Sequence, residues 1–187
     1  MTPRRPPRGK PVLHTDRLEL QPLTWDHLPE LTALDADEEV MRYLDRPRTP
    51  EQVGERQLAR MDPTHDAMGL GYWCAYHRGR FVGWWLLTPE GPGWAEIGWR
   101  LSRSAWGRGL ATEGARAVIE HGFTTVGLER IKGETMVANE RSRSVMVKLG
   151  MRHTRIEHRT WEDPLPGVEQ GEWLAEISRD EWLAQGS

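Results

Sequence analysis

Only one cysteine, Cys74, occurs in the 187 residues of this chain. An internal disulfide is therefore excluded, and there is no CxxC or Cys/His cluster to hold structural zinc. Cys74 stands between Trp73 and Ala75 in a strand-like run, the setting of a buried small residue and not of a nucleophile. Long apolar runs are also missing. The longest, Phe81 to Leu87, falls far short of the roughly 20 residues of a membrane-spanning helix, and no apolar h-region follows the first basic residues. The expectation is a cytoplasmic protein that does not engage a membrane. A basic surplus is absent too: 25 Lys+Arg face 28 Asp+Glu, a formal net charge of -3, so the general electrostatic footprint of a nucleic-acid binder is lacking. Arg4, Arg5, Arg8 and Lys10 do crowd the first ten residues. Residues 1–13 read as a disordered, solvated, Pro-rich tail.

What remains, residues 14–187, is enough for one well-buried core and too little for two ordinary domains. It holds ten tryptophans, spread from Trp25 to Trp182, most of which are expected in the core or in a pocket wall.

Along the chain, Arg17 to Leu23 alternates polar and apolar residues, the pattern of a half-buried strand. Thr24 is placed to cap a helix carrying Leu28, Leu31 and Leu34, and Thr49-Pro50-Glu51 starts a second that runs toward Met61. Three strands follow, Tyr72 to His77, Arg80 to Thr88 and Trp94 to Ser102, as an antiparallel meander. A helix over about 107–122 repeats Leu110, Gly114 and Val118 at four-residue steps. A strand near 130–138 then leads to a short helix over 140–149, which Gly150 can close, and to strands near 151–161 and 172–177. Ser178 to Glu181 reads as the capping start of a last helix.

The most informative segment is Trp106-Gly107-Arg108-Gly109-Leu110-Ala111-Thr112. It sets glycines between the end of a strand and the start of an amphipathic helix, where the backbone can approach a ligand. The free N–H groups of a helix's first turn then suit a pyrophosphate. A P-loop is excluded because GxxxxGK[ST] is absent, and the Rossmann GxGxxG fails at Thr112. The preceding strand also lies in a meander instead of a βαβ unit.

This stretch resembles motif A of the GNAT acetyltransferases, Q/R-x-x-G-x-G/A, with Trp106 in place of the usual Gln or Arg. Some thirty residues on, Asn139 to Met151 is similar to that family's NxxSxxVxxKLGF segment. Thr15-Asp16-Arg17-Leu18 and Ala95-Glu96-Ile97-Gly98-Trp99 resemble its RimJ/RimL-type branch, whose members acetylate protein N-termini and assorted small amines. The resemblance covers residues 15 to about 184. It implies an α/β (α+β) GNAT fold: a mixed, mostly antiparallel sheet of about seven strands, helices on both faces, and a splay between strands 4 and 5. It further implies acetyl-CoA as cosubstrate, with no metal. The coenzyme would be held by Trp106, Gly107, Arg108, Gly109, Leu110, Ala111 and Thr112, by Asn139 on the pantetheine arm, and by an unpaired backbone N–H from Trp99, Arg100 or Leu101 that would receive the oxyanion.

An amine must be neutral to attack a thioester, and an α-amino group of pKa about 7.7–8.0 needs only a weak base. Glu96, on the strand before the motif, is one candidate; a carboxylate merely salt-bridged on the sheet surface is the other reading of it. The tyrosine that many relatives offer the leaving thiolate is replaced here by Met146. Ser142 is the substitute, unless its hydroxyl only caps or back-bonds the helix. His153 and His158 fall on opposite faces of a strand and do not suggest a shared metal; His121 reads as a partly buried, structural histidine. The expected acceptor is a primary amine, on a protein N-terminus or on a small molecule such as an antibiotic or polyamine, and the expected assembly is a monomer or homodimer. A catalytically inactive acyl-CoA-binding module is the alternative from another class.

Overall fold

The computed structural model describes residues 9–185. A short hairpin, Leu13–His14 (β1) with Glu19–Pro22 (β2), begins the sheet. The tail expected over residues 1–13 is thus corrected at its end. The side chain of Lys10 is only 3% exposed and pairs with Asp66 at 2.7 Å, and the Pro11 carbonyl accepts the Trp73 indole N–H at 2.9 Å. The Lys10 ammonium also lies over the Trp73 ring, so its stem finds apolar cover and its charge two partners. Arg4, Arg5 and Arg8 lie outside the described residues.

Four helices follow. Thr24 opens a short 3-10 turn in a capping box with His27, and the chain continues into Leu28–Asp35 (α1). Glu38–Met41 (α2) and Pro63–Ala67 (α4) were not legible as helices. Each is a turn or so long, started by an aspartate, Asp37 or Asp62, whose carboxylate accepts first-turn N–H groups. Between them, Pro50–Arg60 (α3) begins at Thr49 with Pro50 in the first turn, as predicted.

The meander is Gly71–His77 (β3), Arg80–Gly91 (β4) and Trp94–Leu101 (β5). After it come Leu110–His121 (α5), Arg130–Met136 (β6), Glu140–Lys148 (α6), Arg152–Glu157 (β7), Glu172–Ser178 (β8) and Arg179–Ala184 (α7). The sheet has eight strands in the order β1-β2-β3-β4-β5-β6-β8-β7. The strand beyond the expected seven is β1, so the splay expected between strands 4 and 5 falls between β5 and β6. These two pair in parallel only from Trp94/Arg130 to Ile97/Gly133; past that point they part, β5 staying paired with β4 and β6 with β8. His158 lies beyond the end of β7, and His153 stacks on Trp173.

Alternation along the strands sends residues to two cores. The larger joins Trp85, Ala95, Ile97 and Leu101 to Leu110, Ala115, Val118 and Ile119 of α5. Here Gly114 is a requirement of close approach: a Cβ on it would stand 2.5 Å from the Trp85 ring, and the Trp85 indole donates to the Ala111 carbonyl. The smaller core, on the other face, holds Leu31, Leu34, Val53, Cys74 and Trp84. Burial pushes the Cys74 thiol up to about 12, which makes it inert. His121 is buried against Gly69 O and the edge of Trp73, and burial lowers its pKa; it is structural, as read. Among the described residues no helix is long and apolar enough to cross a membrane.

Candidate active site

Where β5 and β6 part, a cleft of about 860 Å³ opens through the sheet. Every site residue expected from the sequence except Arg108 lines it.

One wall is mostly main chain. Gly109, the N-cap of α5, adopts φ +76°, a left-handed conformation that L side chains rarely take. It offers no capping side chain, so the first-turn N–H groups of Leu110, Ala111 and Thr112 are left for whatever occupies the cleft. A Cβ on Gly107 would meet nothing within 4 Å; open space stands over the turn. Arg17 braces this turn from behind. Its guanidinium donates to the Arg108 carbonyl at 2.9 Å and pairs with Glu113 at 2.5 Å, while Thr15 donates to the same carboxylate. Burial alone would raise the Glu113 pKa, but these bonds hold it low; its charge is spent on Arg17 instead of repelling an anion at the helix start. Arg108 contributes its carbonyl to this brace, not its side chain to the cleft.

Trp106, the departure from the family pattern, packs against both cores and makes two further contacts through its indole. Its indole N–H donates to the Leu101 carbonyl at 2.9 Å, fixing the end of β5, and the Arg141 guanidinium lies 4.7 Å from its ring. A cation thereby returns to a position where the pattern lost one. Asn139 caps α6, its Oδ1 accepting from Ser142 N at 3.2 Å. Among the described residues the Ser142 hydroxyl makes no hydrogen bond, so it neither caps nor back-bonds. Met146 is buried beside Gly133.

The facing wall is made of long side chains. Glu96, Gly98 and Arg100 alternate on one face of β5, away from α5. Glu96 is a third exposed and lies 3.4 Å from Lys132 Nζ; Lys132 also bonds Glu90 and sits over the Trp94 ring. Burial raises the Glu96 pKa, aided by the Glu134 charge and opposed by Lys132. The two readings of Glu96 thus coincide: it lines the cleft and is salt-bridged. Trp99 and Leu101 pack toward the main core. Arg100 was expected to serve through its backbone N–H; its side chain turns to the other face and pairs with Asp35. Asp35 is wholly buried and shared with Arg48 at 3.0 Å and Arg60 at 3.7 Å. At the outer edge, Arg46 in the α2–α3 segment grips Asp163 of the β7–β8 loop through two bonds.

Sequence reasoning missed Arg17, Glu113, Arg141 and the Asp35 cluster. Arg17 carried a signal, since Thr15 to Leu18 was singled out as a family feature without a role. The Asp35 cluster had none, because its members lie up to 65 residues apart. Among the described residues no group of three or more His, Cys, Asp or Glu side chains is arranged to hold a metal.

A sequence model of the GNAT acetyltransferase domain matches residues 17–152. FsC-acetyl coenzyme A-N(2)-transacetylase of Aspergillus fumigatus is 38% identical over 187 residues, covering 94% of this chain and 80% of that protein. Spermidine N-acetyltransferase from Vibrio cholerae, solved with CoA and spermine, superposes with TM-score 0.77 at 16% identity, over 90% of this chain and 99% of that one. RimL, the ribosomal L7/L12 alpha-N-protein acetyltransferase solved with coenzyme A, gives TM-score 0.78 at 18% identity, over 93% and 99%.

Proposed function

The chain belongs to the GNAT acetyltransferases, and on that premise we propose that it transfers acetyl from acetyl-CoA to a primary amine by direct attack, both substrates being held at once. The observation that carries this is the through-sheet cleft, with a backbone anion site on one wall and a carboxylate with a raised pKa on the other. The relatives named above are all titled for acetyl transfer to an amine nitrogen, which supports the acceptor class.

Bound acetyl-CoA supplies an acyl group activated as a thioester. The first-turn N–H groups of α5 and the Arg141 guanidinium hold its phosphates, and Asn139 orients the pantetheine arm. Backbone N–H groups of β5 beyond Ile97, freed where β6 diverges, face the acyl oxygen and take up its growing charge. Glu96 receives the proton of the attacking amine. Ser142, with its hydroxyl uncommitted, donates toward the departing sulfur.

A base must be ionised to act, so a raised Glu96 pKa makes kcat/KM fall as pH drops through a value above the ordinary glutamate range. Titration calorimetry with acetyl-CoA, followed by thiol release on a panel of amines, tests the assignment. Glu96→Gln should lower turnover by roughly 10²-fold and leave acetyl-CoA affinity as it was. An unchanged rate and pH profile in this variant removes Glu96 from the role; absence of acetyl-CoA binding by the parent protein removes the function.

A further inference from the structure

The first turn of α5 carries one acidic side chain, that of Glu113. It stands four residues on from Gly109, and side chains on a helix lean toward its N-terminus. A carboxylate so placed is drawn to the free N–H groups of the turn and to the positive end of the helix. The phosphates of a coenzyme need the same groups. Glu113 is thus a competitor for the anion site, carried by the helix that forms it.

The carboxylate does not reach the turn, because the β1–β2 hairpin takes it. Thr15 donates to Glu113 Oε1 at 2.5 Å and the Arg17 backbone N–H donates to the same oxygen at 2.9 Å. Arg17 Nε donates to Oε2 at 2.6 Å, and Nη2 lies 2.5 Å from that oxygen. Two groups on each oxygen occupy the roughly four lone-pair sites of a carboxylate. The captors are themselves fixed: Leu18 N donates to the Thr15 hydroxyl at 2.8 Å, and the Arg17 carbonyl bonds the His77 ring at 2.9 Å. None of Thr15, Arg17 and Glu113 lines the cleft, yet Arg17 Nη2 lies 3.5 Å from where a Cβ on Gly109 would stand. The bond from Arg17 to the Arg108 carbonyl would brace the turn by itself. The other contacts converge on Glu113 and do not touch the turn.

We propose that Arg17 is a positioning residue for the coenzyme: it withholds Glu113 from the N-terminus of α5 and so keeps the anion site open to the phosphates of acetyl-CoA. The inference rests on reading the α5 turn as the coenzyme's phosphate site, and it gives the Thr15 to Leu18 stretch a role. Without the guanidinium, Glu113 is free to turn toward the first-turn N–H groups, where it both occupies them and repels a pyrophosphate. The effect falls on acetyl-CoA affinity and not on the chemistry.

The test is a double-mutant cycle on the full chain, with acetyl-CoA affinity read by titration calorimetry and folding by urea unfolding. Arg17→Met should weaken binding about tenfold, the scale of a charge at a helix N-terminus, with KM for acetyl-CoA raised in step and kcat within about twofold of the parent. Glu113→Gln alone should bind as tightly as the parent or more tightly. Glu113→Gln added to Arg17→Met should restore affinity to within about twofold of the parent, since the competitor is gone. A loss that the double variant does not recover means that Arg17 acts through the Arg108 carbonyl, and it overturns the proposal. So does an Arg17→Met chain that binds like the parent, or a Glu113→Gln chain that binds about tenfold more weakly. If Arg17→Met does not fold, Thr15→Val, which removes one donor from the same carboxylate, takes its place in the cycle, with a loss of about threefold and full recovery expected. All these outcomes leave the coenzyme reading standing; a parent chain that binds no acetyl-CoA removes that reading and this inference together.

Discussion

The two walls of the cleft are built from different materials. The α5 side is shaped by main chain: a left-handed glycine, the open first turn of a helix and a carbonyl braced by Arg17. The facing side is shaped by long charged side chains from the α2–α3 segment, α3 and β5, gathered on the buried carboxylate of Asp35 at the end of α1. A wall made of backbone tolerates changes of side chain, Trp106 for Gln or Arg among them. A wall made of interlocked charges does not, because removing one member leaves the others buried and unpaired.

The sharpest way to break that contrast is Asp35→Ala. It should destabilise the fold by about 3–5 kcal/mol, read from urea unfolding, since three guanidinium groups lose their shared partner. A loss below about 1 kcal/mol would mean that the cluster is a surface-like network after all. Next in size, Gly109→Val on the other wall should weaken acetyl-CoA binding by roughly two orders of magnitude, about 2.7 kcal/mol, with a smaller loss of stability, because a β-branched residue resists the left-handed conformation. Binding retained at the parental level would show that the turn does not cradle the coenzyme. The smallest effect is a displacement and not a loss. Lys132 opposes the burial that raises Glu96, so Lys132→Met should move the acidic limb of the kcat/KM profile to higher pH and leave acetyl-CoA affinity alone. A limb that stays in place, or moves down, would uncouple Lys132 from the group that titrates.

The same contrast explains what could be read from the sequence. The α5 wall was legible because its chemistry is local: Gly107 and Gly109 stand next to the helix they open, and Asn139 caps the helix that immediately follows it. The meander and α5 were legible from alternation and from four-residue steps. The short helices α2 and α4 were not, since each holds too few residues to show a period. Nor was the ordered stretch from Lys10 to Leu13, whose composition matches a tail; its order comes from Asp66 and Trp73, more than fifty residues away. The Asp35 cluster was hidden for the same reason. A lone Asp35 in an acidic stretch resembles a solvated charge until the fold brings Arg48, Arg60 and Arg100 to it. Arg100 was singled out for its backbone, and no pattern in the sequence says which way its side chain turns.

The clasp between Arg46 and Asp163 is 57% and 72% exposed at its two ends. A contact so open to solvent contributes at most about 1 kcal/mol and is screened within about 8 Å at physiological salt. It behaves as a snap fastener and not as a weld: the α2–α3 segment, whose Tyr43 and Leu44 line the cleft, can part from the β7–β8 loop at little cost. The outline of the cleft at rest is therefore no measure of the bulk it admits, and acceptors trailing large substituents are not barred by their size.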